Sequence, residues 1–334
     1  MFEAPSKPHA YAPLTPNVVL DALSELGLDV DGRLTALSSY ENRVYQVMLD
    51  DNSGVVAKFY RPERWGNGQI LEEHQFALAL MAEEVPLVGP LVLRGQTLHH
   101  AHGFAFSVSP RRGGRMPELD DAEVLEWIGR FIARIHNVGA QQNFVTRPSL
   151  NVQTFAIDSR EWLINNETIP LDQQKEWLAV CNQAIEMATE KFAAHPAHNI
   201  RLHGDCHPGN ILWTPTDLPN GGPHFVDLDD ARMGPAIQDL WMLLSGDRAQ
   251  RSLQLSMLLD GYEQMRELNR SELALIEPLR TLRLIHYSAW LARRQDDPAF
   301  AQHFSWFGSS DYWAGQTHLL VEQCEAMQED PLNV

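Results

Sequence analysis

The chain has 334 residues and a formal net charge of −18, from 26 Lys and Arg against 44 Asp and Glu. This acidic balance argues against a general nucleic-acid binder, which needs a basic face to replace phosphate counterions. Hydrophobic residues make up 44% of the sequence, enough for a sizeable core. The apolar runs are far shorter than the roughly 20 residues of a membrane span. A phosphate ligand must therefore be bound locally, by a few cations, backbone amides and metal ions.

The N-terminal residues show no basic segment followed by an apolar segment, so we predict no signal peptide and expect a cytoplasmic protein. The three cysteines (Cys181, Cys206 and Cys324) are widely spaced and odd in number. They therefore give neither a disulfide framework nor a CxxC metal pair. At this length we expect one large bilobal domain or two domains.

The first 109 residues predict a mainly antiparallel sheet with one long helix. Thr15 and Pro16 precede an apolar pattern of helical period, which predicts a capped first helix. The next segments are rich in β-branched and aromatic residues and predict strands, with DDNSG as a hairpin turn. GQILEEHQFALALMAEE then has helical periodicity, and LVLRGQTLHH and GFAFSVS predict two further strands.

From PRRGGR at 110–115 onward the sequence predicts a mostly helical region. Six amphipathic segments follow, and two short β-like pieces, ILW and HFVDL, interrupt them. The predicted fold class is α+β, with a small antiparallel-sheet lobe over 1–109, a Gly-rich connector and a larger helical lobe over 110–334. Ligands commonly bind in the cleft between two such lobes.

The stretch LHGDCHPGNILW concentrates polar side chains and allows two interpretations. His203 and His207 have the i, i+4 spacing of two metal ligands on a helix. Pro208, Gly209 and Gly204 argue against a helix interior, and no third ligand with zinc-type spacing accompanies the histidines. The alternative is a loop in which Asp205 and Asn210 do the chemistry and the histidines hold the backbone.

The downstream sequence favours the second interpretation. Asn210 and Asp227 flank the two short β-like pieces, which would bring an amide and a carboxylate to the same edge. These oxygen donors suit Mg²⁺ rather than zinc. Phosphoryl transfer requires one carboxylate to orient the attacking hydroxyl, together with an amide and a carboxylate that hold magnesium.

HGDCHPGN together with FVDLDDARMGPAIQDLW resembles the Brenner and metal-binding motifs of the aminoglycoside phosphotransferase and choline kinase-like group, relatives of the protein kinases. The resemblance implies a bilobal protein kinase-like fold. It also implies that Asp205 is the catalytic base, and that Asn210 and Asp227 are magnesium ligands, with Asp227 part of the catalytic machinery. Asp239 would brace the catalytic loop, in which His203 would be a structural histidine.

The same resemblance assigns nucleotide-binding roles in the first lobe. VVAKFY resembles the strand that carries the phosphate-contacting Lys58, and Glu73 in the next helix would be its ion-pair partner, with Glu72 as the alternative. SSYENRVYQV occupies the place of the Gly-rich loop but lacks GxGxxG, so Ser39 and nearby amides are the expected phosphate contacts. FSVSP at 106–110 falls where the hinge would read adenine through its backbone.

Across nearly the whole chain these segments are most similar to the stress response kinase family of bacteria. That resemblance implies an ATP- and Mg²⁺-dependent serine/threonine kinase that binds ATP and a protein substrate. We also expect a monomer that binds neither nucleic acid nor membrane. The alternative keeps the fold and changes the acceptor to a small alcohol such as an aminoglycoside, choline or homoserine. A non-catalytic nucleotide-binding module is a third hypothesis.

Overall fold

The predicted hairpins near the N-terminus form a five-stranded antiparallel sheet in the computed structural model, which describes residues 10–297 and 300–334. The strand order is β1-β2-β3-β5-β4. The DDNSG segment joins β2 to β3, with Met48 opposite Gly54, as the turn residues predict. The strands are β1 (Val30–Ala36), β2 (Arg43–Leu49), β3 (Gly54–Phe59), β4 (His99–Ala101) and β5 (Phe104–Pro110).

Two helices accompany this sheet. The first, α1 (Pro16–Glu25), begins as predicted, because the Thr15 hydroxyl accepts a hydrogen bond from the Val18 amide at 3.4 Å and Pro stands at its first position. The second is α2 (Asn67–Ala82). The core of this region combines buried residues of α1 with Val47, Ala57 and Phe59 from the sheet. Phe59 stacks on Phe106 with ring centroids 5.0 Å apart.

The strand predicted over 91–100 is largely wrong. Only its last two residues belong to β4, and Leu93 pairs with Gln96 across a tight turn. Arg94 and Gly95 in that turn have φ of 48° and 78°. This left-handed backbone interrupts an extended strand, although the apolar residues before it have the composition of one.

The remainder of the chain is mostly helical, as predicted. Close packing joins the two helices α3 (Ala122–Gly139) and α7 (Arg248–Tyr262). A β-carbon at Gly129 would overlap the Leu258 carbonyl, and one at Gly261 would overlap the Glu126 carbonyl. The two glycines therefore allow the two backbones to approach closely. The other helices are α4 (Asp158–Asn165), α5 (Leu171–Ala194), α6 (Ile237–Trp241), α8 (Ile276–Ala292), α9 (Phe300–His303) and α10 (Ser310–Ala326).

Two short pairs of antiparallel strands interrupt the helices. The strands β7 (Ile211–Thr214) and β8 (Gly222–Phe225) are the two predicted β-like pieces, and they pair antiparallel. The strands β6 (Ile200–Leu202) and β9 (Arg232–Gly234) also pair antiparallel. The second pair was not predicted, because three-residue strands are too short to show a period.

The chain divides into two compact units, and neither is continuous in sequence. Unit 1 comprises residues up to Pro117 together with Val145–Arg147 and Gly209–Asp230, and unit 2 comprises Glu118–Phe144, Pro148–Pro208 and Ala231–Val334. The β7–β8 hairpin thus belongs to unit 1, although a functional boundary after residue 109 remains a prediction. Within residues 10–297 and 300–334, no helix is both long and apolar enough to cross a membrane. Residues 1–9, part of the stretch used to predict the absence of a signal peptide, lie outside the described residues.

Candidate active site

Asn210 and Asp227 lie at the same end of the β7–β8 hairpin. Asn210 precedes β7 and Asp227 follows β8, and the strands pair Ile211 with Phe225. The Asn210 carbonyl accepts a hydrogen bond from the Val226 amide at 3.0 Å. The hairpin therefore brings these two predicted ligands together in unit 1. Asp227 has φ of 62°, a conformation that costs free energy in a non-glycine residue and is concentrated at functional sites.

Lys58 of β3 contacts the carboxylate of Asp227. Its Nζ donates to Asp227 Oδ1 at 2.9 Å and lies 3.4 Å from Asp229 Oδ1. Burial alone would lower the pKa of Lys58, but the charges of Asp227 and Asp229 hold that pKa well above its ordinary value. Lys58 is therefore a fixed positive charge beside the predicted metal ligand.

Asp229 is buried and forms several ion pairs, a role that the sequence did not predict. Its carboxylate pairs with Arg64 as well as Lys58, and its backbone carbonyl accepts from the Arg147 guanidinium. Burial opposes ionisation, but the charges of Arg64 and Lys58 hold the pKa of Asp229 below its usual value. The sequence signal was the repeated carboxylate in VDLDDA, but the arginines that pair with it come from distant segments.

The structure distinguishes the two candidate partners of Lys58 in α2. Glu72 accepts hydrogen bonds from the amides of Val145, Thr146 and Arg147 at 2.6–3.0 Å, so it anchors a loop. Glu73 is buried and lies within electrostatic range of Lys58. Glu73 rather than Glu72 is therefore the glutamate directed toward the lysine.

The expected direct ion pair between Lys58 and Glu73 is wrong for this structure. Among the ion pairs of the described residues, the carboxylates within reach of Lys58 belong to Asp227 and Asp229. Burial raises the pKa of Glu73 to about 7. A carboxyl that ionises so reluctantly competes poorly for the ammonium with the half-exposed Asp227 and with Asp229, whose charge Arg64 also supports.

Ser39 lies in the loop between β1 and β2 and is half-buried. Arg61 holds the following residues, because its side chain donates to the carbonyls of Tyr40 and Glu41 at 3.2 and 3.0 Å. The Arg61 amide also donates to Asn42 Oδ1 at 3.0 Å. The loop is thus fixed by an arginine rather than shaped by glycines, and the phosphate contact of Ser39 stays a prediction.

The segment 106–110 is not a free hinge. It lies inside β5, where Ser107 pairs with Lys58 and Pro110 pairs with Val55. The Val108 carbonyl accepts a hydrogen bond from the Leu91 amide at 2.7 Å. Sheet pairing and this bond occupy part of its backbone, and the adenine contact expected at this segment stays a prediction.

In unit 2, Asp239 braces the loop that carries Asp205. The Asp239 carboxylate accepts from the amides of His203 and Gly204 at 2.8 and 2.9 Å, and His136 Nε2 lies 3.1 Å away. The side chain of Gln238 donates to the Gly204 carbonyl at 3.2 Å. Burial opposes ionisation of Asp239, but the bonds from His136 and Gly204 keep its pKa below the ordinary value. The bracing role that the resemblance implied for Asp239 is therefore visible as direct hydrogen bonds.

Gly204 has φ of 85°, which a residue with a β-carbon adopts only with strain. The turn leads directly into Asp205. One side of the Asp205 carboxylate faces Arg283 of α8, whose Nη1 is 2.8 Å from Asp205 Oδ1. The other oxygen is 3.5 Å from His207 Nε2. Sequence reasoning did not identify Arg283, which is 78 residues further along the chain.

Two other sequence expectations concern cysteine and metal. Cys206 is buried, and burial together with the charges of Asp239 and Asp205 raises the pKa of its thiol well above the ordinary value. It is therefore a poor nucleophile. Within residues 10–297 and 300–334, no group of three or more His, Cys, Asp or Glu side chains is arranged to hold a metal.

The oxygen donors of unit 1 nevertheless fit a hard cation whose remaining ligands come from bound phosphates and waters. The Asp227 side chain is 48% exposed, and the buried Asp229 Oδ1 makes no hydrogen bond. These carboxylates and the Asn210 amide supply oxygen atoms, the donor type preferred by Mg²⁺, which is commonly bound by one or two carboxylates plus phosphates and waters.

Comparison with known proteins shows the family of the chain. The model of the phosphotransferase enzyme family matches residues 33–275. Stress response kinase A of Escherichia coli O157:H7 is 46% identical over 325 residues, covering 96% of each chain. A serine/threonine protein kinase, RdoA, of Salmonella typhimurium is 45% identical over 321 residues, covering 96% of each chain.

Among solved structures, amicoumacin kinase hAmiN in complex with AMP-PNP, Ca²⁺ and Ami is similar, with a TM-score of 0.69 at 20% identity, covering 95% of this chain and 94% of that chain. This likeness supports the predicted kinase-like α+β fold, whose five-stranded antiparallel sheet and helical remainder are described above. The chain belongs to the phosphotransferase enzyme family and, within it, is a homologue of stress response kinase A.

Proposed function

We propose that this protein is an ATP- and Mg²⁺-dependent serine/threonine protein kinase that acts in a bacterial stress response. The observation that carries the proposal is the contact of Lys58 Nζ with Asp227 Oδ1 at 2.9 Å. A strand lysine and a loop aspartate 169 residues apart in sequence thereby lie side by side, and phosphoryl transfer uses such a pair, the lysine for the phosphates and the aspartate for the metal. The protein would act in the cytoplasm as a monomer.

In this proposal unit 1, which includes the lobe predicted over 1–109, binds the nucleotide. Lys58 would bind the α- and β-phosphates, and Ser39 with neighbouring amides would contact the phosphates from the β1–β2 loop. Asn210 and Asp227 would hold Mg²⁺, which neutralises phosphate charge when bound. Lys58 would then exchange its contact with Asp227 for the phosphates, with the buried Glu73 behind it.

In this proposal unit 2, which includes most of the lobe predicted over 110–334, binds the acceptor hydroxyl. The Asp205 carboxylate would accept a hydrogen bond from a serine or threonine hydroxyl and take its proton as the oxygen attacks the γ-phosphorus. ADP leaves, and the proton passes to solvent. Asp239 fixes the direction of this carboxylate by holding the amides of His203 and Gly204. Such alignment is the main contribution of the protein to phosphoryl transfer.

The protein acceptor is supported by the relatives rather than by the geometry. One relative that is 45% identical over 96% of both chains carries the name serine/threonine protein kinase. The structurally similar amicoumacin kinase was solved with a small molecule. We propose a protein hydroxyl because the former similarity extends along nearly the whole chain at much higher identity.

The structure also favours a site that needs no activating phosphorylation. Only the eleven residues 228–238 separate Asp227 from Asp239. They form a short 3₁₀ turn, the strand β9 and the start of α6, and most are buried. Gly204 replaces the arginine that binds an activation-loop phosphate in many protein kinases. Loss of activity in a phosphatase-treated preparation would contradict this.

The proposed function is tested by incubating the protein with radiolabelled ATP, Mg²⁺ and either generic protein acceptors or a panel of small alcohols and amines. We expect label on serine and threonine of the protein acceptors. Label on small acceptors alone would contradict the protein-kinase assignment. Comparing phosphoproteomes of a strain with the intact gene and one with Asp205→Asn would then identify the substrate.

A further inference from the structure

Arg283 places a positive charge beside the carboxylate that would receive the acceptor hydroxyl. Its Nη1 is 2.8 Å from Asp205 Oδ1, and the side chains of Arg283 and Asp205 are 37% and 22% exposed. An acceptor that reaches Asp205 from solvent would thus also meet the guanidinium. The guanidinium has five donors in a fixed fork, so it can bind a second anion while it contacts Asp205.

Arg283 is the first member of a row of side chains that begins on one face of α8 and ends in the turn two residues beyond it, which we name the arginine–aromatic stripe. The stripe consists of Arg283, Tyr287, Trp290 and Arg294, whose spacing of four, three and four residues repeats on one side of a helix. Tyr287 lies within electrostatic range of Arg283 and is 40% exposed.

Ring contacts hold the other members of the stripe in order. The rings of Tyr287 and Trp290 stack with centroids 5.7 Å apart at 11°. The Arg294 guanidinium lies 4.3 Å from the centroid of Trp290 and donates to the Trp290 carbonyl at 2.8 Å. Two rigid rings are thus flanked by an arginine at each end, all within unit 2.

The length of the stripe favours a polypeptide over a small molecule. The eleven positions from Arg283 to Arg294, most of them in α8, span roughly 16 Å at helical rise, about the length of five extended residues. A chain of that length could place its hydroxyl at Asp205 and still reach Arg294. Charge complementarity selects its sequence, because arginines bind carboxylates and aromatic rings contact the apolar parts of side chains.

We infer that the arginine–aromatic stripe binds an acidic polypeptide segment, so that the preferred acceptor is a serine or threonine followed or preceded by Asp or Glu. Arg283 binds the acidic residue next to the hydroxyl, and Arg294 binds one about five residues away. This inference rests on the proposed function and adds the class of substrate. A cationic acceptor is disfavoured, because Arg283 would repel it beside the base.

The test uses the full-length protein with ATP, Mg²⁺ and serine peptides of matched length, flanked by Glu, by Gln or by Lys. We expect the KM of the Glu peptide to be about tenfold or more below that of the Gln peptide, the usual gain from a charge-assisted bond. Arg283→Gln should remove this preference by raising KM for the Glu peptide, so that the ratio of the two KM values falls to about one.

Arg294→Gln provides the second variant, remote from Asp205. It should raise KM for a long Glu peptide but leave a short Glu peptide unaffected. The matched control is Arg270→Gln, an arginine of the same unit that pairs with Glu263 at 2.8 Å outside the stripe. It should leave every peptide KM unchanged.

The outcomes separate the inference from the proposed function. Equal KM for Glu and Gln peptides with wild-type protein, or a preference for Lys peptides, overturns the inference and leaves the kinase assignment intact. A preference in KM for the Glu peptide that persists undiminished in Arg283→Gln also overturns it. Phosphorylation of small alcohols with no peptide labelled contradicts the proposed function itself.

Discussion

The loop that carries Asp205 and the loop that carries Asp227 are held in place by different forces. In the Asp205 loop, one buried carboxylate, that of Asp239, accepts backbone hydrogen bonds from two successive residues. In the Asp227 loop, the carboxylates of Asp227 and Asp229 are held by the side-chain cations of Lys58 and Arg64. The first arrangement fixes a backbone, and the second shares charge between side chains.

This difference corresponds to the two tasks in the proposed mechanism. A group that aligns a hydroxyl needs one geometry throughout the reaction, and buried hydrogen bonds to a carboxylate provide it. Groups that bind a metal and a nucleotide must release one partner to accept another. The ion pair of Lys58 with the half-exposed Asp227 can open while Lys58 keeps the carboxylate of Asp229 within 3.4 Å, so that its ammonium is not left without a partner.

The largest expected effect comes from removing the carboxylate of the Asp205 loop. Asp205→Asn keeps the shape of the side chain and removes its capacity to take a proton, so kcat should fall about 10²- to 10⁴-fold. ATP affinity should be largely retained, since the residues proposed to bind the nucleotide lie in unit 1. Steady-state kinetics with labelled ATP measures this, and wild-type turnover in the variant would show that Asp205 is not the base.

The next largest effect is the loss of stability expected when the Asp239 carboxylate is removed. Asp239→Ala leaves buried donors of His203, Gly204 and His136 without their acceptor, which should lower the free energy of unfolding by about 3–5 kcal/mol. Chemical denaturation monitored by circular dichroism measures this loss. The control is Asp260→Ala on the exposed surface of α7, which should be nearly neutral. Equal stability of the two variants would contradict the bracing role.

The third prediction concerns the pH dependence of stability that arises from the buried Glu73 near Lys58. Glu73 has a pKa raised to about 7, so the folded protein holds a proton that the unfolded chain releases near pH 4.5. Its contribution therefore lowers stability as pH rises from about 4.5 to 7. Glu73→Gln should consequently stabilise the protein at pH 8, by an amount on the order of 1–3 kcal/mol, and the gain should vanish toward pH 4.5.

The neighbouring Glu72 is the matched control for Glu73. Burial opposes ionisation of Glu72, but hydrogen bonds from Thr146 and the amides of residues 145–147 hold its pKa below the ordinary value. Its stabilising contribution is present above the unfolded pKa and is lost as pH falls through the folded pKa. Glu72→Gln should therefore destabilise the protein at pH 8. Parallel pH profiles for the two variants would show that the assignment of their environments is wrong.

The smallest effect concerns the backbone that leads into Asp205. Gly204→Ala introduces a β-carbon at φ of 85° and should cost about 1–2 kcal/mol. Gly308→Ala is the control, because Gly308 has φ of 83° and a β-carbon added there would meet no atom within 4 Å. Both variants should lose stability by a similar amount in thermal unfolding, but only Gly204→Ala should lower kcat. A kcat lowered equally in both would contradict a role for this turn in alignment.

The sequence predicted those elements of the fold that are determined by residue types and spacing within a short segment. The Thr15 cap, the hairpin between β2 and β3, the long helix α2 and the β7–β8 pair all follow from residue types and spacing. It did not predict the turn at Arg94 and Gly95, where left-handed backbone interrupts an apolar run. The short strands β6 and β9 were missed for the related reason that three residues show no period.

In the candidate site, too, some residues could be predicted from the sequence and others could not. The motif spacing predicted Asp205, Asn210 and Asp227, and the structure places Asn210 and Asp227 at one end of a hairpin. The partners Arg64, Arg147 and Arg283 were not predicted, because each comes from a segment distant in sequence from the aspartate that it contacts. The register of Glu72 and Glu73 was also unresolved, since adjacent helix positions differ only in the direction of the side chain.

The central claim is that the two loops perform separate tasks, and calorimetric titration of ATP with and without Mg²⁺ tests it most directly. For wild type and Asp205→Asn, we predict similar affinities that Mg²⁺ strengthens equally. For Asp227→Asn, the strengthening by Mg²⁺ should be largely lost. Full Mg²⁺ dependence in Asp227→Asn, or its loss in Asp205→Asn, would contradict this account.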